Sequence, residues 1–175
     1  MLTKDNTYKV MKLVFDSPER TFHIREMARL TGLSAPGVSK IIKRLKAEGL
    51  LTAERGKVVE EVSASRTDKF VLFKRCYNMQ RLFESGLIGF LKDTYEEPEA
   101  IVLFGSYSKG EDTSVSDIDI AIITKKELRP DLRKFEAALK REINVHEIQI
   151  RSVDKEFLNT LANGTVLSGF LEAVQ

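Results

Sequence analysis

Cysteine is almost absent from this chain: Cys76 stands alone in 175 residues. A single thiol can form no internal disulfide and build no multi-cysteine zinc site. Its plainest reading is a buried or half-buried structural thiol. Histidine is nearly as scarce, with only His23 and His146. His23 has no second histidine or cysteine near it in sequence and offers no metal spacing, and His146, on the strand face opposite Glu147, is likewise read as structural. No apolar run approaches the ~20 residues of a membrane span. The opening residues MLTKDNTYKVMK lack the apolar core of a signal peptide. No internal repeat or low-complexity segment occurs. These absences lead us to expect a cytoplasmic location with no membrane partner.

What remains is an ordinary globular composition, 42% hydrophobic and 31% charged. The length suits one ordinary domain or two small ones. The net charge of +2 conceals an asymmetry. Met1 to Gln80 carries 16 Lys+Arg against 9 Asp+Glu, while Arg81 to Gln175 carries 12 against 17. A basic half joined to an acidic half predicts two modules with different partners. Nucleic acid suits the first and metal ions the second.

In the basic half, apolar residues at helical spacing predict a helix over Thr7–Phe15 and another over Ile24–Leu30. Thr31-Gly32-Leu33 is a tight turn. Ser34 caps a third helix, Ala35–Glu48, with Pro36 in its first turn and Val38, Ile41, Ile42 and Leu45 as its buried stripe. Leu50–Glu54 and Val58–Val62 read as strands around the basic hairpin Arg55-Gly56-Lys57. Helix, short turn, helix is the helix-turn-helix arrangement. The third helix and the string LSAPGVSKIIKRLKAEGLL resemble the winged helix domain of bacterial and archaeal transcription regulators, over about Asn6 to Ala64. That resemblance implies DNA binding through Ser34, Ser39, Lys40, Lys43 and Arg44 of the helix and Arg55 and Lys57 of the wing. It also admits a homodimer. The alternative role for such a module is protein–protein contact.

Residues 66–96 read as a helical connector. Phe70, Phe73, Tyr77, Leu82, Phe83, Leu87, Ile88, Phe90 and Leu91 recur at helical spacing and are expected to form core, with a break at Ser85-Gly86.

The acidic half is organised around IVLFGSYSKGEDTSVSDIDIAII, Ile101 to Ile123. An apolar strand enters a Gly105-Ser106 turn and a short helix. Asp117-Ile118-Asp119 then opens a second apolar strand. Side chains alternate along a strand, so Asp117 and Asp119 share a face, about 6.6 Å apart along the chain. Two carboxylates so placed suit Mg²⁺, which takes oxygen ligands together with substrate phosphates. Gly105 allows close backbone approach to a phosphate. Ser106 offers a hydroxyl and a cap. Phosphate at the turn and metal at the aspartates would make one site.

The same residues resemble the signature of the polymerase β-like nucleotidyltransferase superfamily. The fuller string GSYSKGE…SDIDI is similar to its small, minimal branch, and the likeness runs from about Glu99 to Arg151. It implies transfer of a nucleotidyl group from an NTP, ATP being the expected one, with two Mg²⁺ ions held by three carboxylates. Asp117 and Asp119 would be two of them. The third lies on a neighbouring strand and is usually Asp; Glu147 is the candidate, as metal ligand and aid to the base. Gly105 and Ser106 would bind the β- and γ-phosphates, and Lys109, where relatives often carry Arg, would neutralise phosphate charge.

The remaining segments read as a helix over Asp131–Glu142, a strand over Asn144–Ile150, a helix over Asp154–Ala162 and an apolar helical segment over Thr165–Val174. The expected architecture is α+β: a winged helix-turn-helix over residues 1–65, the helical connector over 66–96, and a small α/β nucleotidyltransferase-like sheet over 97–175. Two functions follow. One is a Mg²⁺-dependent nucleotidyltransferase acting on an unknown acceptor and bound to DNA. The other is a DNA-binding regulator whose second domain senses nucleotide or assembles subunits without catalysis.

Overall fold

The computed structural model describes residues 5–55 and 60–172, Arg55 by its backbone alone. Lys57 and the hairpin tip therefore lie outside the described residues. The chain divides into two compact units, Met1–Lys74 and Arg75–Gln175. The division falls inside the stretch read as a connector.

In the first unit, helix α1 (Asn6–Asp16) starts at Asp5, whose carboxylate accepts from the Tyr8 amide at 2.8 Å. Strand β1 (Phe22–His23) leads into α2 (Ile24–Thr31), and α3 (Ala35–Ala47) follows. The turn between the two helices is made possible by Gly32 at φ +70°, which ends α2 in the left-handed conformation. Ser34 caps α3 by accepting from the Gly37 amide at 3.2 Å, with Pro36 in the first turn. Strands β2 (Leu51–Arg55) and β3 (Glu60–Ala64) pair antiparallel, and β1 adds to β3. This is a winged helix-turn-helix. Its core is Val10, Val14, Met27, Val38, Ile42, Leu45, Leu51 and Val62, all buried. Ile41, expected in that stripe, is half-buried. Helix α4 (Asp68–Glu84) starts in this unit. Its buried Lys74 donates to the Phe15 carbonyl at 2.7 Å at the end of α1, and Phe70 packs on the Phe15 ring.

In the second unit, α4 ends at Glu84 and α5 (Leu87–Thr94) begins after Ser85-Gly86, where the sequence placed the break. Strand β4 (Ala100–Phe104) runs into the one-turn helix α6 (Gly105–Lys109). Then come β5 (Ile118–Ile123), α7 (Arg133–Leu139), β6 (Ile143–Ile148), α8 (Lys155–Ala162) and β7 (Thr165–Gly169). The sheet order is β6-β5-β4-β7, with only β5 and β6 parallel. Both central strands are covered on two faces, which is why they read as unbroken apolar runs rather than alternating ones. Ile101, Leu103, Ile118, Ile120 and Ile122 join one cluster with Leu87, Leu91 and Tyr95. Ala100, Val102, Phe104, Ala121 and Ile123 join another with Leu161.

Three expectations are corrected. Thr165–Val174 was expected to be helical, but Thr165–Gly169 is the edge strand β7, paired antiparallel with β4. The open edge of β4 and the β-branched Thr165 and Val166 outweigh a helical spacing that short apolar segments fit equally well. Cys76 is exposed rather than buried. Phe73 and Phe83, expected in the core, are about half exposed at 48% and 52%. A single helix turns only part of its circumference inward, and Phe70, Tyr77 and Leu82 occupy that part of α4. Among the described residues no helix is long and apolar enough to cross a membrane.

A polar anchor holds the loop after α6. Asp112 is buried and accepts from Asn78 Nδ2 of α4 at 2.6 Å, while the same amide donates to the Tyr107 carbonyl at 2.9 Å. The Arg141 guanidinium lies 3.9 Å from the other Asp112 oxygen. Replacing Asp112 by Ala removes a buried carboxylate from the Asn78 amide and from the Arg141 guanidinium. Urea unfolding of the second unit should then show a loss of about 3 kcal/mol. A loss below about 1 kcal/mol would mean water replaces the carboxylate without penalty.

Candidate nucleotide site

Chain direction builds the site. Strand β4 delivers Phe104 to Gly105, which sits at φ +72°. That conformation is open to glycine and strained for other residues. The chain then coils once through α6, where Ser108 donates its hydroxyl to the Gly105 carbonyl at 2.8 Å. Gly110, at φ +76°, ends the turn. Antiparallel pairing sets Phe104 opposite Asp119, so Gly105 lies against the Asp119 side chain. A Cβ added at Gly105 would collide with the Asp119 carboxylate.

Asp117 and Asp119 do converge. The Nδ2 atom of Asn144 lies 3.3 Å from Asp117 Oδ2 and 3.3 Å from Asp119 Oδ1, so one amide nitrogen touches both carboxylates. Asn144 is there because β6 runs parallel to β5 with Asp119 beside Asn144. Gly105, Asp117 and Asp119 are thus brought together, with Ser106 next in the turn.

Glu147 is not part of this group, which corrects the expected third carboxylate. In the register of β5 and β6 it stands beside Ile122, three residues beyond Asn144. An odd offset along a strand points to the opposite face. There Glu147 Oε1 accepts from the Tyr95 hydroxyl at 2.5 Å and from the Leu128 amide at 2.7 Å. Burial, and next the Glu147 carboxylate that it donates to, push the Tyr95 hydroxyl above its ordinary range. Glu147 thereby ties the loop after β5 to the end of α5. His146 shares the Asp119 face instead and packs against the Phe104 and Phe157 rings, with centroids 5.3 and 6.2 Å away.

On the winged helix, Ser39, Lys40 and Lys43 are exposed along α3. Arg44 is engaged within the fold, donating to Thr7 Oγ1 and lying 3.7 Å from Glu48 Oε1. Ser34 serves as the cap already described. The side chain of Arg55, like Lys57, lies outside what the structure describes.

Residues 87–169 match the family model "Polymerase beta, Nucleotidyltransferase", and residues 16–58 match the model of the MarR family. The chain carries a nucleotidyltransferase domain of the polymerase β type behind a MarR-type winged helix. A 62-residue segment is 40% identical to the protein adenylyltransferase MntA of Shewanella oneidensis, covering 35% of this chain and 44% of that protein. The chain thus spans less than half the length of this curated relative. A solved structure described as "Crystal structure of the toxin-antitoxin with AMP-PNP" is 30% identical, with a TM-score of 0.40, over 50% of this chain and 73% of its own.

The nucleotidyltransferase domain offers two carboxylates, which fit one Mg²⁺ ion completed by substrate phosphates and water. Among the described residues no group of three or more His, Cys, Asp and Glu side chains could hold a metal. The donor set therefore fits one ion and does not supply the three carboxylates expected for two. Beside the turn opens a cleft of about 510 Å³, lined by Gly105, Ser108 and Lys109 of α6 and by Glu156, Asn159, Thr160 and Asn163 of α8 and its end. The α8 residues carry no motif legible in the sequence. They face Gly105 only because β7 and α8 return to β4.

Gly105→Ala should lower stability by about 1–2 kcal/mol from the left-handed backbone alone, with a further loss from the displaced Asp119. Gly89→Ala, in the middle of α5 with nothing within 4 Å of the added Cβ, should raise it by about 0.5 kcal/mol. Thermal unfolding of both variants checks the contrast. Equal effects would mean that the Gly105 turn yields freely.

Proposed function

We propose that the nucleotidyltransferase domain binds ATP with Mg²⁺ at Asp117 and Asp119 and transfers its adenylyl group, and that the winged helix binds duplex DNA. One observation supports the first part: Gly105 lies against the Asp119 side chain, which in this reading joins a phosphate-binding turn to a metal-binding pair. The adenylyltransferase named among the relatives supports ATP as the donor. In this reading the triphosphate lies along Gly105 and Ser106, with Lys109 offsetting its charge. The ribose and base enter the cleft, where Glu156, Asn159 and Thr160 offer polar partners. An acceptor hydroxyl attacks the α-phosphorus, the bond to the bridging oxygen breaks, pyrophosphate leaves, and the hydroxyl proton passes to solvent. Asp117 and Asp119 would hold the cation, which would supply charge neutralisation to the phosphates, and the backbone at Gly105 would fix the phosphate line.

A second reading is favoured by Asn144, which stands beside Asp119 where a carboxylate would serve the acceptor. In that reading the domain senses nucleotide and the protein is a regulator on DNA.

Calorimetry of the full chain with a non-hydrolysable ATP analogue and Mg²⁺ is the first test. Asp119→Asn keeps the size of the side chain but removes one charge, and should abolish metal-dependent binding while leaving DNA affinity intact. Absence of wild-type binding at millimolar nucleotide would sink the ATP assignment in both readings. Incubation with labelled ATP then separates transfer from sensing.

For DNA, support comes from Ser39, Lys40 and Lys43 exposed on the helix that this fold presents to the major groove. Lys40→Glu with Lys43→Glu should cut duplex affinity by tenfold or more. It should also flatten the slope of log affinity against log salt by about 1.8, which is about 0.9 for each phosphate no longer neutralised. An unchanged slope would show that α3 does not meet phosphate.

A further inference from the structure

We infer that Asn144 restricts the aspartate pair to one divalent cation, so that the site holds a metal–nucleotide complex without a second ion on the acceptor side. This rests on the reading that Asp117 and Asp119 bind a metal with the nucleotide.

The parallel pairing of β5 and β6 sets Asn144 beside Asp119 on the same face. Its Nδ2 is 3.3 Å from an oxygen of each aspartate. An amide nitrogen is a donor and cannot ligate a cation. As it stands, Asn144 satisfies two carboxylate oxygens from the β6 side, where a second ion would need them. Turning the amide over presents Oδ1, which is a ligand but brings no charge. Two divalent ions a few ångströms apart need anionic oxygens to offset their repulsion, and this pair supplies only two negative charges beyond the nucleotide's own.

Among the described residues no third His, Cys, Asp or Glu joins the aspartates in a group that could hold a metal. Glu147, on β6, faces away and is held by Tyr95 and the Leu128 amide. His146 is on the right face, but its ring packs on Phe104 and Phe157, and a neutral imidazole adds no charge. The consequence is functional. An acceptor hydroxyl arriving opposite the leaving pyrophosphate meets an amide rather than a metal or carboxylate, so nucleotide binding is retained while activation of the acceptor is weak.

The test counts ions in the full chain. Mn²⁺ replaces Mg²⁺ in the presence of a non-hydrolysable ATP analogue, and dialysis and electron paramagnetic resonance give the number of bound ions and their coupling. Wild type should hold one Mn²⁺ per bound nucleotide, with the spectrum of an isolated ion. Asn144→Asp should hold two, spin-coupled at the ~3.5–4 Å of a two-metal site. Asn144→Ala, which removes the amide without adding charge, should remain at one. Circular dichroism checks that each variant is folded. Two coupled ions in wild type, or in Asn144→Ala, would overturn the inference, as would a single ion in Asn144→Asp. A wild type that binds nucleotide with no Mn²⁺ overturns the metal assignment, and one that binds neither overturns the ATP assignment as well; both are told apart by an ion count of zero.

Discussion

The antiparallel pairing of β4 with β5 sets Phe104 opposite Asp119, and the candidate site depends on that register. It places the left-handed Gly105 against a carboxylate that an added Cβ would have to displace. A one-residue slip would turn Asp119 into the apolar layer formed by Ile118, Ile120 and Ile122. Burial of both faces of the two central strands makes such a slip very costly, so the core enforces the geometry of the site. Packing and the candidate site are thus linked through a single strand pair.

The surrounding polar contacts hold what the strands position. Asp112, reached by Asn78 and flanked by Arg141, fixes the loop that returns from α6 to the aspartates. Glu147 fixes the loop that leaves β5 by accepting from Tyr95 and the Leu128 amide. Each is a buried or half-buried carboxylate that serves a loop rather than chemistry. An acid in a nucleotidyltransferase domain is therefore not by itself a catalytic acid; the partners that face it decide.

The charge asymmetry of the chain follows the same division of labour. In the first unit basic residues take different duties along one helix: Arg44 is turned to Thr7 and Glu48, and Lys46 Nζ donates to the Ala53 carbonyl at 2.7 Å. Lys40 and Lys43 stay exposed. In the second unit the aspartate pair gathers negative charge at the edge of a glycine turn, a setting that suits a cation with a phosphate rather than a cation alone.

Much of this was legible in the sequence. Periodicity marked α1, α2 and α3, the cap at Ser34 and the turn at Gly32, because these are governed by neighbours three or four residues away. The apolar runs, the Gly-Ser turn and the Asp-Ile-Asp spacing marked β4, α6 and β5 for the same local reason. Tertiary structure decided the rest. That Thr165–Gly169 is a strand depends on the vacant edge of β4, which lies far away in sequence. That α4 leaves Phe73, Cys76 and Phe83 exposed depends on which part of the helix meets the core. That Asn144 rather than Glu147 stands beside the aspartates depends on the register between two parallel strands, joined by a crossover whose length sets no parity. Sequence spacing fixes which face a residue takes within its own strand; only the pairing of strands fixes which residue of the neighbour shares that face.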